Sequence, residues 1–133
     1  MNGGDKRVVV VDDDPSVRRG LERLLKSAGY RVTTFGSVQE MLTYADLNGT
    51  ACLVLDVRMP GPSGLELQAA LAHQGMPVPI VFISGHGDVQ MAVRAMKAGA
   101  VDFLSKPFDE EELFDAVERA ILRARPVKAT KRR

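Results

Sequence analysis

The sequence has no tryptophan, two tyrosines and a single cysteine. One cysteine, Cys52, excludes an internal disulfide and fits a reducing cytosol. Cys52 lies inside an apolar run, so inert packing is its expected role rather than reactivity. No apolar stretch approaches the ~20 residues that a membrane-spanning helix needs. The start, Met1 to Arg7, has no signal-peptide hydrophobic region beyond the short run Val8 to Val11. There is no low-complexity segment and no internal repeat.

Charge of one sign is missing locally. The net charge of +1 hides an asymmetry: residues 123–133 hold six of the 18 basic residues and no acid. The preceding body carries twelve basic against 17 acidic residues, net −5. A terminal basic cluster of this kind reads as a solvated tail, and it has no aromatic with which to stack on nucleic-acid bases.

What remains is one domain's worth of chain, 133 residues with 45% hydrophobic residues, enough for a proper core. Its organising stretch is Ala51-Cys52-Leu53-Val54-Leu55-Asp56, followed by Val57-Arg58-Met59-Pro60-Gly61. An apolar run bounded by turn signals reads as a strand buried on both faces. Asp56 then sits where that strand leaves its sheet, and a charge there is costly unless exposed, paired or coordinated.

The rest alternates strand and helix. Val8 to Val11 is β1, and Asp14-Pro15 caps and opens α1, whose apolar face Val17, Leu21, Leu24, Leu25 and Ala28 is stopped by Gly29. Tyr30 to Phe35 is β2. Ser37 and Glu40 form a capping box before α2, which runs to about Ala45. Asn48-Gly49 is a turn, and β3 ends at Asp56. Ser63 and Glu66 repeat the capping box before α3, and Gly75 to Pro79 breaks it. Val78 to Ser84 is β4. Asp88 is a cap for α4, which carries Val89, Ala92, Val93 and Met96 and ends at Gly99. Ala100 to Ser105 is β5. Asp109 with Glu112 opens α5, and Pro126 is predicted to close folded structure. Residues 1–6 are expected to be disordered, 7–124 to form the domain, and 125–133 to be a basic tail or linker stub.

Five β/α units imply a parallel sheet with helices on both faces. The pattern alone leaves two strand orders open. In open α/β sheets the ligand crevice lies at the carboxyl ends of the strands. Asp12, Asp13 and Asp14 follow β1, Asp56 ends β3, Ser84 ends β4 and Lys106 follows β5, so parallel strands put them on one rim. Converging carboxylates repel, and a hard divalent cation relieves that. An oxygen-only donor set suits Mg²⁺. Lys106 and Ser84 supply a cation and a hydroxyl for phosphoryl oxygens, and carboxylates serve as phosphoryl acceptors. Taken singly each residue has an ordinary explanation: a helix cap for Asp14, a strand-end hydroxyl for Ser84, a surface lysine for Lys106, a core ring for Phe103. Their placement on successive strand ends is what points to chemistry.

The motifs Val11-Asp12-Asp13-Asp14, Leu55-Asp56-Val57-Arg58-Met59-Pro60-Gly61, Ile83-Ser84-Gly85-His86 and Asp102-Phe103-Leu104-Ser105-Lys106-Pro107-Phe108 resemble the response regulator receiver domain, the CheY-like family of two-component signalling. The likeness spans about Arg7 to Ala124. The stretch from Gly85 to Ala100 is most like receivers of transcriptional regulators of the FixJ and NtrC kind. The resemblance implies a flavodoxin-like (βα)5 doubly wound sandwich with strand order 2-1-3-4-5, an order given for this fold in general.

It further implies that Asp56 accepts a phosphoryl group from a cognate histidine kinase. Asp13, Asp56 and the Arg58 backbone carbonyl ligate Mg²⁺, with Mn²⁺ or Ca²⁺ as substitutes, and Asp12 acts through water. Lys106 and Ser84 hold phosphoryl oxygens, Phe103 switches where the family often has Tyr, and Lys106-Pro107 is a cis peptide. His86 and Arg58 flank the site. The implied output is a changed α4–β5–α5 face, homodimerisation through it, and control of transcription, with DNA contacted only by an output domain outside this chain. The alternative is a stand-alone receiver acting by protein–protein contact. In either case the expectation is a cytoplasmic protein that catalyses only its own phosphorylation and dephosphorylation.

Three rivals fare worse. A flavin or nucleotide binder needs a Gly/Ser/Thr-rich phosphate loop after β1, where Asp12 to Asp14 would repel phosphate. A haloacid dehalogenase-type phosphotransferase needs a second Asp two residues after the nucleophile, where Arg58 stands. A pseudo-receiver typically lacks the acceptor Asp, a metal Asp or the Lys, and this sequence keeps all three.

Overall fold

The four valines of β1 alternate between two cores, and that alternation defines the architecture. Val8 and Val10 belong to one buried cluster, Val9 and Val11 to the other. A strand buried on both faces is what a parallel sheet sandwiched by helices requires. The computed structural model describes residues 6–57, 64–75, 78–85 and 89–130, with side chains described as far as Arg123.

Five strands, β1 (Arg7–Val11), β2 (Arg31–Phe35), β3 (Cys52–Asp56), β4 (Ile80–Ser84) and β5 (Asp102–Ser105), pair in parallel in the order β2-β1-β3-β4-β5. β3 is buried at all five positions, and so is β4. The helices are α1 (Pro15–Ser27), α2 (Val38–Tyr44), α3 (Gly64–His73), α4 (Val89–Lys97) and α5 (Glu110–Thr130), with a 3-10 turn at Leu47–Gly49. One layer packs Leu21 and Leu25 of α1 and Leu113, Val117 and Ile121 of α5 against Cys52 and Val54. The other packs Met41 of α2, Leu67 and Leu71 of α3 and Ala95 of α4 against Leu53, Leu55 and Phe82. The flavodoxin-like (βα)5 fold is therefore the observed one.

The sequence sets the helix starts. Asp14 Oδ1 accepts from the Ser16 and Val17 amides at 2.9 and 3.4 Å, ahead of Pro15. Ser37 Oγ accepts from the Glu40 amide, while Glu40 reaches back to the amide of Gly36 rather than of Ser37. Asp109 and Glu112 cap reciprocally, each side chain accepting from the other's amide at 3.0 and 3.1 Å. Gly29 ends α1 at φ 96°, a left-handed conformation that glycine adopts without steric cost. The predicted caps Ser63 and Asp88 lie outside the described residues.

Three boundaries differ from expectation by two residues or more. β4 and β5 each begin two residues later than their apolar runs, because Val78 and Ala100 pack in the core without sheet pairing. α5 runs past Pro126 to Thr130, although Pro126 was expected to end folded structure. A proline inside a helix removes one i→i−4 bond and crowds the carbonyl four residues back, yet α5 continues through it. Among the described residues, no helix is long and apolar enough to cross a membrane.

Candidate metal centre

The order β2-β1-β3 sets the ends of β1 and β3 side by side, with Val11 paired to Leu55. The next residues are Asp12 and Asp56. Each is held by the backbone beyond the ladder: the Asp12 amide donates to Phe35 O at 3.2 Å, and the Val57 amide after Asp56 donates to Ile83 O at 3.0 Å. Asp12 is fully buried, Asp56 is buried, and Asp13 is exposed. Carboxylate oxygens of Asp12, Asp13 and Asp56 lie within 4.8 Å of one another.

Lys106 enters from β5, on the far side of β4. Its amide donates to Ser84 O at 2.7 Å, which ties the β5 exit to the end of β4. Its Nζ then reaches across to Asp12 Oδ2 and Asp56 Oδ2, both at 3.4 Å. Burial alone would lower the pKa of this ammonium, but Asp56 and Asp12 together outweigh it and hold it above the ordinary lysine value. The second oxygen of Asp12 accepts from the Asp14 amide at 2.9 Å. Two buried carboxylates are thus partnered by one ammonium, a pairing that buried charge requires.

The other candidates fall around this centre. Ser84 is fully buried at the end of β4, one residue past Ile83, the register partner of Asp56. Phe103 is half-buried in β5, its ring centroid 6.1 Å from that of Phe82. The Lys106–Pro107 peptide bond is cis. Arg58, whose carbonyl was expected to join the metal ligands, and His86 lie outside the described residues.

Two residues at the site carry no sequence signal. Gly64, the first residue of α3, packs so closely that a Cβ there would lie 2.8 Å from Phe82 Cε1 and 3.6 Å from Asp56 O. Arg18 of α1 donates from Nη1 to the carbonyl of Asp12 at 2.7 Å. Both contacts depend on how a helix approaches the sheet, which no hydrophobic periodicity records.

The donor set consists of carboxylate oxygens, without sulfur or imidazole, and its exposed member Asp13 leaves an approach from solvent. That chemistry fits a small hard cation such as Mg²⁺, which is bound by one or two carboxylates and keeps several waters. The arrangement offers a buried carboxylate with an ammonium beside it and cation-binding oxygens adjacent.

Residues 8–118 match the family model described as the response regulator receiver domain. Nodulation protein W of Bradyrhizobium diazoefficiens is 57% identical over 118 residues, 89% of this chain and 52% of that protein. Transcriptional regulatory protein FixJ of the same organism is 47% identical over 119 residues, 90% of this chain and 58% of that protein. The solved structure of response regulator StyR superposes with a TM-score of 0.86 at 51% identity, covering 96% of this chain and 65% of that one. The chain spans about half the length of the curated relatives it matches. The agreement in sequence, in strand order and in overall structure has one meaning: the chain belongs to the response regulator receiver domain family of two-component signalling.

Proposed function

We propose that this domain takes a phosphoryl group from a histidine kinase onto Asp56 in a Mg²⁺-dependent reaction, and that the modified domain changes its α4–β5–α5 face to control output. The observation that carries this reading is the convergence of Asp12, Asp13 and Asp56 around one rim, with Lys106 Nζ 3.4 Å from both Asp12 and Asp56.

In this reading the Asp56 carboxylate attacks the phosphorus of a phosphohistidine. The O–P bond forms as the P–N bond breaks, and the imidazole leaves with a proton taken from solvent. Asp13, Asp56 and the Arg58 carbonyl are the proposed metal ligands, with Asp12 acting through water. Bound there, Mg²⁺ would offset carboxylate repulsion and the charge on the phosphoryl oxygens. Lys106 is already beside the nucleophile and pairs with a phosphoryl oxygen once transfer is complete. Ser84 donates its hydroxyl to another, moving the segment after β4. Phosphorylation adds nearly a full charge and new acceptor oxygens, which is enough to bias two packings of that segment and of Phe103. The domain takes up and loses one phosphoryl group and is not a turnover catalyst.

Exposed apolar side chains on α4 and α5 support this reading. Val89, Val93 and Met96 of α4 and Leu122 of α5 are 72, 47, 45 and 52% exposed, so both helices carry apolar side chains that a second copy could cover. Transcriptional control is carried over from FixJ, by its name a transcriptional regulatory protein, to the protein that contains this domain. A cytoplasmic location accords with the lone buried cysteine.

The test is intact mass after incubation with acetyl phosphate. The expected result is a gain of one phosphoryl group that needs Mg²⁺ and is lost in Asp56→Ala. No gain in the wild type, or an equal gain in the variant, overturns the reading.

A further inference from the structure

Besides its ion pair with Lys106, Asp12 is fixed by three hydrogen bonds. Its amide donates to Phe35 O, its Oδ1 accepts from the Asp14 amide, and its carbonyl accepts from Arg18 Nη1 at 2.7 Å, the shortest of the three. A guanidinium on a backbone carbonyl is a charge-assisted bond, stronger and better aimed than a neutral one. The carbonyl belongs to the peptide that joins Asp12 to Asp13, so Arg18 holds the plane from which both carboxylates project. Arg18 is half-buried and makes no ion pair with the cluster among the described residues.

A second observation, independent of that bond, points to the same residue. Gly36 follows Phe35, the residue that anchors the Asp12 amide. A Cβ at Gly36 would lie 3.0 Å from Arg18 Nη1, the donating nitrogen. Gly36 is itself pinned, its amide donating to Glu40 Oε1 at 2.8 Å in the α2 cap. A Cβ at position 36 therefore presses on the guanidinium rather than on backbone, and the guanidinium must give way slightly.

We propose that Arg18 is a positioning residue for the acidic cluster: its guanidinium fixes the Asp12–Asp13 peptide, and so the aim of both carboxylates, and Gly36 leaves the room it needs. The inference rests on the reading of the cluster as a Mg²⁺ site. It makes a prediction of opposite sign to plain electrostatics. Removing a positive charge beside an acidic site strengthens cation binding by Coulomb's law. Removing a positioning contact weakens it, by about tenfold for groups that orient metal ligands.

The experiment titrates Mg²⁺ into metal-free protein by calorimetry and follows the Asp12, Asp13 and Asp14 amide resonances, for wild type, Arg18→Met, Arg18→Lys and Gly36→Ala. Arg18→Met keeps most of the stem and loses the charge. Gly36→Ala keeps every charge. The expected result is a Mg²⁺ Kd raised about tenfold in Arg18→Met and raised in Gly36→Ala. Arg18→Lys falls between Arg18→Met and wild type, and the three amides shift before any metal is added. An Arg18→Met Kd that is unchanged or lower overturns the proposal, as does a wild-type Kd in Gly36→Ala, which also decides the matter if Arg18→Met does not fold. Wild-type protein that binds no Mg²⁺ sinks the site reading itself. Wild-type binding with indifferent variants sinks only the role of Arg18.

Discussion

Lys106 Nζ lies 3.4 Å from Asp56 Oδ2, although 50 residues separate them and β4 runs between their strands. The same nitrogen is 3.4 Å from Asp12 Oδ2. One ammonium therefore bridges two buried carboxylates and offsets only part of their charge, which leaves the cluster suited to a cation. Lys106→Ala is expected to retain slow phosphoryl uptake from acetyl phosphate, because the carboxylate cluster persists, yet to lose the change of the α4–β5–α5 face. Phosphorylation measured by intact mass, beside dimerisation measured by light scattering, separates the two effects. Wild-type dimerisation of the phosphorylated variant would contradict the role given to Lys106.

Lys106 also sets an alkaline limit. Its pKa is held above 10.5 in the folded protein by Asp56 and Asp12 against the opposing effect of burial. A group whose folded pKa is raised contributes stability that is complete below its unfolded value and is lost as pH rises through the folded one. Urea unfolding of the metal-free protein should show Lys106→Met less stable than wild type near neutral pH, with the gap narrowing above about pH 10.4. A gap that is constant into that range would show that the ammonium adds nothing.

Gly64 is predicted to tolerate no side chain. A Cβ there would meet Phe82 Cε1 at 2.8 Å, and Phe82 is fully buried with no room to retreat. Gly64→Ala should cost about 1–3 kcal/mol through overpacking, measured by urea denaturation. It should also slow phosphoryl uptake, because the shift that the 2.8 Å approach to Phe82 forces takes place beside Asp56, whose carbonyl oxygen lies 3.6 Å from the same Cβ position.

Cys52 is fully buried in β3 opposite Val8, and burial pushes its thiol well above the usual range. A thiol reagent should leave the native protein unlabelled and react only as fast as the protein unfolds. Rapid stoichiometric labelling of native protein would contradict the packing of β3.

Much of this was legible in the sequence, for identifiable reasons. The five strands are marked by β-branched or apolar runs, and the helix starts by Asp14-Pro15, Ser37 and Asp109. Strand order was not, because β1, β3 and β4 are all apolar and nothing in their pattern chooses neighbours; the family likeness supplied it. Asp12, Asp13, Asp56 and Lys106 stand out because each ends or follows a strand, and parallel topology sends all such positions to one rim. Arg18 and Gly64 do not, because a guanidinium on a carbonyl and a glycine against a ring are products of helix approach. Pro126 misled, since a proline lowers helix propensity without forbidding the helix from continuing.

The claim at the centre is that one aspartate, made reactive by its neighbours, receives the phosphoryl group. Borohydride reduction converts an aspartyl phosphate to homoserine, so peptide mapping of the acetyl phosphate-treated, Mg²⁺-loaded protein reads the acceptor directly. The predicted result is homoserine at position 56 alone, absent when Mg²⁺ is withheld. Homoserine at position 12 or 13, or at none of the aspartates, would contradict it.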